Sequence, residues 1–150
     1  MKILLLAPQP FYTQRGTPIA IRNLASVLGE AGHNIDLLTY PGGDNVELTN
    51  TRILRLWKIP FLGKVPVGFS IKKLLYDFLM FFAVFWKVLV NRYDVIHAVE
   101  ESVYIALIFA PLKGSLVIYD MDSSMADQLL EKWSWLGRVK GFLDWFEGLA

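Results

Sequence analysis

Five short apolar runs alternate along the chain with longer stretches whose apolar residues recur every three or four positions. The first run, Ile3 to Ala7, is continuously apolar and ends at Pro8, which is typical of a strand buried on both faces of a parallel sheet. Parallel neighbours need crossover connections, so the alternation predicts an α/β fold with a doubly wound, Rossmann-like parallel sheet. The predicted strands are Ile3 to Ala7, Asn34 to Thr39, Thr51 to Leu56, Asp94 to Val99 and Leu116 to Asp120; the predicted helices are Pro18 to about Ala31 with Thr17 as the capping residue, Ser70 to Asn91, Ser102 to Leu112 and most of the chain after Asp120.

Composition limits the class of protein. A chain of 150 residues is long enough for one hydrophobic core, and 54% apolar against 19% charged residues excludes intrinsic disorder. The absence of cysteine excludes disulfide scaffolds, thiol nucleophiles and thiolate metal sites. His33 and His97 are the only histidines, too few for a His-rich site, and no EF-hand spacing is present, so no metal is predicted. The alternative is a divalent metal on the carboxylates that follow the fourth and fifth predicted strands.

Two apolar segments bear on location. The N-terminal run ends at Pro8 and is shorter than the apolar region of a secretory signal, so we predict a cytoplasmic chain. The longest apolar stretch, Leu74 to Val90, is interrupted by Asp77 and Lys87, which disfavours a spanning helix. A membrane-anchored structural protein would need that stretch to span.

Charge is distributed unevenly. The stretch from Arg52 to Arg92 contains eight basic residues and one acid, Asp77, although the whole chain has a net charge of only +1. Aromatic residues are interleaved with these cations, which favours an anionic membrane surface as partner over a nucleic acid. The alternative is a basic loop followed by a core helix. The aromatic residues are Trp57, Phe61, Phe69, Phe78, Phe81, Phe82, Phe85 and Trp86.

A glycine precedes the first predicted helix. Gly16, between Arg15 and Thr17, lets another backbone or a ligand come close, and the free N–H groups of the following helix favour an anion. We therefore predict a phosphate-binding corner at Arg15, Gly16 and Thr17. Neither a G-x-G-x-x-G fingerprint nor a P-loop is present, and the alternative is an ordinary turn with a solvated Arg15.

Acidic residues follow the fourth and fifth predicted strands. If these strands are neighbours, the carboxylates share one crevice, where like charges raise the pKa of at least one of them and suit it to act as a general base. The alternatives are helix capping, a first helical turn and a core histidine. The candidates are His97, Glu100 and Glu101 after the fourth strand, and Asp120, Asp122 and Ser123 after the fifth.

Three segments resemble the N-terminal domain of retaining GT-B glycosyltransferases of family four. They are MKILLL from Met1 to Leu6, NLASVLGEAGHNIDLLT from Asn23 to Thr39, which follows the family pattern L-A-x-x-L-x-x-x-G-H-x-V, and YDVIHA from Tyr93 to Ala98. The resemblance covers nearly the whole chain but only the N-terminal part of a family member. Two positions depart from the family: Arg15 precedes Gly16 where many members have two glycines, and Val99 stands where several have a second histidine.

The resemblance implies an acceptor-binding half of a nucleotide-sugar-dependent enzyme. By resemblance, Gly16 lies near the donor phosphates, Glu100, Glu101 and Asp122 lie beside acceptor hydroxyls, and His97 orients its surroundings. The donor is a nucleotide sugar with no further cofactor, held by a C-terminal domain with an E-x7-E signature that these residues do not include, so the isolated chain is expected to be inactive. Several family members use lipid-linked acceptors, which implies a peripheral position at the cytoplasmic leaflet. The alternative is a stand-alone, non-catalytic module that binds a phosphorylated ligand or a protein partner.

Overall fold

The computed structural model describes residues 1–60, 62–63 and 70–121. The strands are β1 (Lys2–Pro10), β2 (Asn34–Tyr40), β3 (Thr51–Arg55), β4 (Val95–Val99) and β5 (Leu116–Asp120). The helices are α1 (Gly16–Glu30) after β1, α2 (Ile71–Val90) after β3 and α3 (Ser102–Phe109) after β4. A 3-10 turn (Ala110–Leu112) continues α3. Phe61, Phe69, Asp122, Ser123 and the helix predicted after the fifth strand lie outside the described residues.

The five strands form one parallel sheet in the order β3-β2-β1-β4-β5. The predicted doubly wound α/β fold is therefore confirmed. β1 is the central strand, and Leu5 pairs with Leu37 on one side and with His97 on the other. Its continuous apolar run suits this place, because a central strand is covered by helices on both faces. The strand order reverses between β1 and β4.

The two faces of the sheet have separate cores. Leu4 and Leu6 point to the face covered by α2 and α3, whereas Ile3 and Leu5 point to the face covered by α1, as the alternation of side chains along a strand requires. α2 buries one stripe of side chains at a spacing of four, which packs it lengthwise on the sheet. The stripe consists of Tyr76, Met80, Val84 and Val88.

The starts of α1 and α2 differ in how well they were predicted. The helix predicted from Ser70 to Asn91 is observed from Ile71 to Val90, and Ser70 caps it, because its hydroxyl accepts a hydrogen bond from the Lys73 N–H at 3.1 Å. The prediction that Thr17 caps α1 is wrong: Arg15 has the extended backbone of the cap position, and its carbonyl accepts from the Ile19 N–H. Pro18 is tolerated throughout the first turn, where no helical N–H bond is lost, so its presence does not determine which residue precedes the helix.

Across the described residues, no helix has both the length and the apolar character needed to cross a bilayer.

Candidate functional site

The candidate site lies where the strand order reverses. In open parallel sheets, the carboxyl ends of the strands at such a point border a crevice that binds ligands. Here the segment after β1 leads into α1, while the neighbouring strand β4 is followed at once by Glu100 and Glu101. The structure therefore brings the predicted glycine corner and the two predicted glutamates to the same edge of the sheet.

The chain turns sharply after β4. Glu100 has a left-handed backbone (φ 52°), a conformation that costs a residue other than glycine about 1–2 kcal/mol. Its N–H donates to the Asp120 carbonyl at 3.0 Å, which extends the contact between β4 and β5 by one residue. The buried Ser102 hydroxyl then donates to the Val99 carbonyl at 2.7 Å and fixes the start of α3. This turn directs both glutamates toward α2.

Lys73, in the first turn of α2, joins the two glutamates. Its Nζ lies 2.6 Å from Glu101 Oε1 and 3.2 Å from Glu100 Oε2. The side chains of Lys73, Glu100 and Glu101 are only 12%, 15% and 19% exposed, so these ion pairs are largely removed from solvent. Ion pairs in such a position are screened little by salt.

One turn further along α2, Asp77 adds a third carboxyl group. The Tyr40 hydroxyl, at the end of β2, donates a hydrogen bond to Asp77 Oδ1. Tyr40 is fully buried, and its ring stacks at a tilt on the Tyr76 ring with centroids 5.3 Å apart. We call these five residues the Lys73 cluster: Tyr40, Lys73, Asp77, Glu100 and Glu101.

The Lys73 cluster holds one cation and three carboxyl groups, and burial together with the neighbouring charges shifts the pKa values of Glu101, Asp77 and Lys73. Burial raises the pKa of Glu101 to about 7, although Lys73 acts in the opposite direction. Burial also raises the pKa of Asp77, against the effect of the Tyr40 hydrogen bond. For Lys73, burial lowers the pKa, but the two glutamates raise it by more, so the ammonium group stays protonated. Glu101 can therefore gain or lose a proton near neutral pH.

His97 and Asp120 lie on the other face of the sheet. Val95 and Val99 belong to the core under α1, and His97 between them shares their face. Its Nε2 is 3.8 Å from Asp120 Oδ2, beyond hydrogen-bonding distance. Burial lowers the pKa of His97, against the raising effect of Asp120, which favours the neutral ring. Among the described members of the predicted group, Glu100 and Glu101 therefore lie on one face and His97 and Asp120 on the other.

The predicted phosphate corner is open. Arg15 and Gly16 are exposed, and a methyl group placed on Gly16 would meet no atom within 4 Å. The backbone conformation at Gly16 does not require glycine. The position therefore contributes only free space at the start of α1, a helix of 15 residues. Thr17 follows it in the first turn. Asp122 and Ser123 lie outside the described residues.

Sequence reasoning missed the α2 members of the cluster. Lys73 and Asp77 are four residues apart and lie on the same side of α2 as the stripe that buries Tyr76 and Met80. Two charged residues on the buried side of a mostly apolar helix could have indicated a buried ion-pair cluster, because charged groups are almost never buried without a partner. Gln9, near the end of β1, was also missed: its Nε2 is buried with no hydrogen-bond partner among the residues described.

Within the described ranges, no group of three acidic or histidine side chains is arranged to hold a metal ion.

The fold and this site define a Rossmann-like α/β domain with a buried acid–lysine cluster at its switch point. No protein-family model matches the chain, and no curated protein matches it either.

Proposed function

We propose that the chain is the acceptor-binding half of a nucleotide-sugar-dependent glycosyltransferase. The observation that carries the proposal is that the Lys73 cluster and the open start of α1 follow the carboxyl ends of the neighbouring strands β4 and β1, at the same edge of the sheet. Glycosyl transfer needs a group that accepts the proton of an acceptor hydroxyl and a group that stabilises the departing diphosphate. The two halves of this edge suit those two tasks.

Glu101 is the residue best suited to the acceptor hydroxyl. With a pKa of about 7 it is partly ionised at neutral pH and can accept a proton there. Lys73 holds Glu101 and Glu100 in place through its two ion pairs, so both carboxylates are oriented before a sugar or lipid hydroxyl arrives. Asp122 is proposed for the same role on the strength of the family resemblance alone.

The start of α1 is suited to the donor phosphates. The free space at Gly16 lets a phosphate approach the first N–H groups of the helix, with Arg15 and Thr17 on either side. The donor itself is proposed to be held by a second domain, so that transfer occurs between two halves and the 150 residues alone do not turn over.

The proposed acceptor is lipid-linked or close to a membrane. The net charge of the Arg52 to Arg92 stretch and its aromatic residues support a peripheral position on the anionic, cytoplasmic side of a bilayer. A second candidate function, a non-catalytic module for a phosphorylated ligand or protein partner, is favoured by the exposure of Arg15 beside the open helix start.

The test uses the complete protein that the reading frame encodes. We expect the frame to continue into a second α/β domain with an E-x7-E spacing, and the purified protein to transfer radiolabel from a nucleotide sugar into a membrane lipid extract. Glu101→Gln should lower kcat by about 10²–10⁴-fold, as expected for loss of a general base. Glu47→Gln is the matched control, since Glu47 is an exposed glutamate outside the cluster.

Two results would contradict the proposal. A wild-type rate in Glu101→Gln would remove the role assigned to that carboxylate. A protein that binds inorganic phosphate or a nucleotide tightly but transfers no sugar from any nucleotide donor would favour the binding module instead.

A further inference from the structure

The side of α2 that faces away from the sheet is apolar along its whole length. Its exposed side chains recur at spacings of three and four, so they form one continuous stripe on the helix. Phe78 is 60% exposed and Trp86 is 63% exposed. We call this stripe the outer face of α2; it consists of Ile71, Leu74, Leu75, Phe78, Phe82, Phe85, Trp86 and Leu89.

This arrangement is the reverse of an ordinary surface helix. A helix packed on a sheet normally presents polar side chains to water. In α2, Lys73 and Asp77 instead lie on the side that faces Tyr40, Glu100 and Glu101, while phenylalanine and tryptophan face outward and Lys72 is the exposed charged residue of the helix. Contiguous exposed apolar surface of this kind marks an interaction site.

Basic residues border the outer face at both ends. Lys72 is exposed beside its first turn, with Lys58 and Trp57 exposed after β3. At the other end, Arg92 is exposed just beyond the last residue of α2, whereas Lys87 in the last turn is partly buried on the side of Val84 and Val88. The only acid between Arg52 and Arg92 is Asp77, which is hydrogen-bonded to Tyr40 on the other side of the helix.

An apolar stripe bordered by cations is complementary to an anionic bilayer. Phenylalanine, leucine and tryptophan side chains enter the boundary between headgroups and acyl chains, while lysine and arginine meet the lipid phosphates. Each basic residue near such a surface contributes about 1 kcal/mol. A second protein would match the apolar stripe as well, but the excess of positive charge at both ends favours the lipid.

We propose that the outer face of α2 lies in the interface of an anionic lipid bilayer. This inference refines the peripheral location proposed above and does not depend on glycosyl transfer. Because Lys73 is in the first turn of α2, the same helix that contacts the lipid also supplies the cation of the candidate site. A membrane-bound acceptor would therefore meet the site at the end of the docked helix.

Flotation of the full chain with vesicles tests this proposal. We expect binding to phosphatidylcholine vesicles containing about a third phosphatidylglycerol, little binding to phosphatidylcholine alone, and loss of binding between about 0.1 M and about 1 M salt. The pair Phe82→Ser and Trp86→Ser, combined, should lower the partition coefficient about tenfold or more. Val27→Ser is the matched control, because Val27 is 65% exposed on α1, on the other face of the sheet. Circular dichroism and thermal melting of each variant verify that it is folded.

The absence of cysteine allows a second measurement on the same surface. A single cysteine introduced by Phe82→Cys or by Val27→Cys carries an environment-sensitive fluorophore, and lipids with a spin label quench whichever fluorophore enters the bilayer. We expect quenching at position 82 and none at position 27.

Three results would overturn the proposal. They are wild-type protein that fails to float with anionic vesicles at low salt, equal loss of binding in Val27→Ser, and a fluorophore at position 82 already shielded without lipid. In the last case, self-association in sedimentation would identify a second copy as the occupant. Protein that transfers sugar but does not float overturns this inference and the peripheral location on which it rests, but not glycosyl transfer. Protein that floats but transfers nothing overturns the proposed glycosyl transfer and leaves this inference standing.

Discussion

At the scale of single residues, the ammonium group of Lys73 faces more negative charge than it can neutralise. The pKa of Glu101 is shifted as a consequence. Burial raises it to about 7, Asp77 also raises it, and Lys73 lowers it. The folded chain holds this proton more tightly than the unfolded chain, so the contribution of Glu101 to stability falls as pH rises between about 4.5 and about 7.

Removing each neighbour should move the pKa of Glu101 in opposite directions. Lys73→Met removes the charge that stabilises the carboxylate, so the pKa should rise further above about 7; Asp77→Asn removes a repelling charge, so the pKa should fall. Carbon-13 NMR titration of labelled glutamate carboxyl groups measures both shifts, with the exposed Glu47 as internal reference. Shifts of the same sign in the two variants would contradict this account of the cluster.

Part of the site could be predicted from the residues alone. Glu100 and Glu101 directly follow a strand that reads as buried, and strand ends are where ligand-binding carboxylates collect. Lys73 could not be placed there, because its position depends on how α2 lies across the sheet, which is a tertiary contact. Side chains alternate between the two faces along a strand, so His97 lies on the same face as Val95 and Val99 and away from Glu101. The sequence alone did not show which of the two faces α2 would cover.

At the scale of the elements, α1 packs very closely against the segment before β3. A side chain on Gly29 would overlap the carbonyl oxygen of Thr49, and Asn50 donates a hydrogen bond to the Gly29 carbonyl at 3.0 Å. The glycine is therefore required by the approach of two backbones. In the sequence it looked like an ordinary helix residue, because this contact joins segments that are distant in the chain.

Gly29→Ala should destabilise the protein although alanine favours helix. The overlap is with backbone that has to shift, so we expect a loss of about 1–3 kcal/mol in the free energy of unfolding. Gly16→Ala is the matched control: it lies at the other end of α1 in open space, and its change should stay within about 1 kcal/mol. Urea unfolding followed by circular dichroism measures both. Equal stability of the two variants would show that the helix and the segment before β3 do not pack this closely.

At the scale of the whole molecule, stability should decrease from the middle of the sheet outward. Leu4, Leu5 and Leu6 are fully buried and lie in a strand paired on both sides, whereas β3 and β5 are the edge strands of the sheet among the residues described and each has exposed side chains. Native-state hydrogen exchange should give the slowest amides in β1 and faster exchange in β3 and β5. Amides of β5 as well protected as those of Leu4 to Leu6 would contradict this order.

The class of fold was predictable because every strand run is bounded by turn residues and followed by a helical pattern or a turn. Right-handed crossovers then restrict how such units can be arranged. The order β3-β2-β1-β4-β5 could not be predicted from local patterns, because the residues from Val95 to Val99 do not indicate whether β4 pairs with β1 or with β3. That choice is made by the length and direction of the connection through α2.

The pairing of β1 with β4 has a consequence for synthesis on the ribosome. The Lys2 N–H binds the Asp94 carboxylate, which lies 92 residues later in the chain. At about 5–20 residues per second, β1 emerges roughly 5–20 s before its second neighbour exists. During that interval the apolar run from Ile3 to Ala7 has at least one unpaired edge, which is exposed to any chaperone at the exit tunnel.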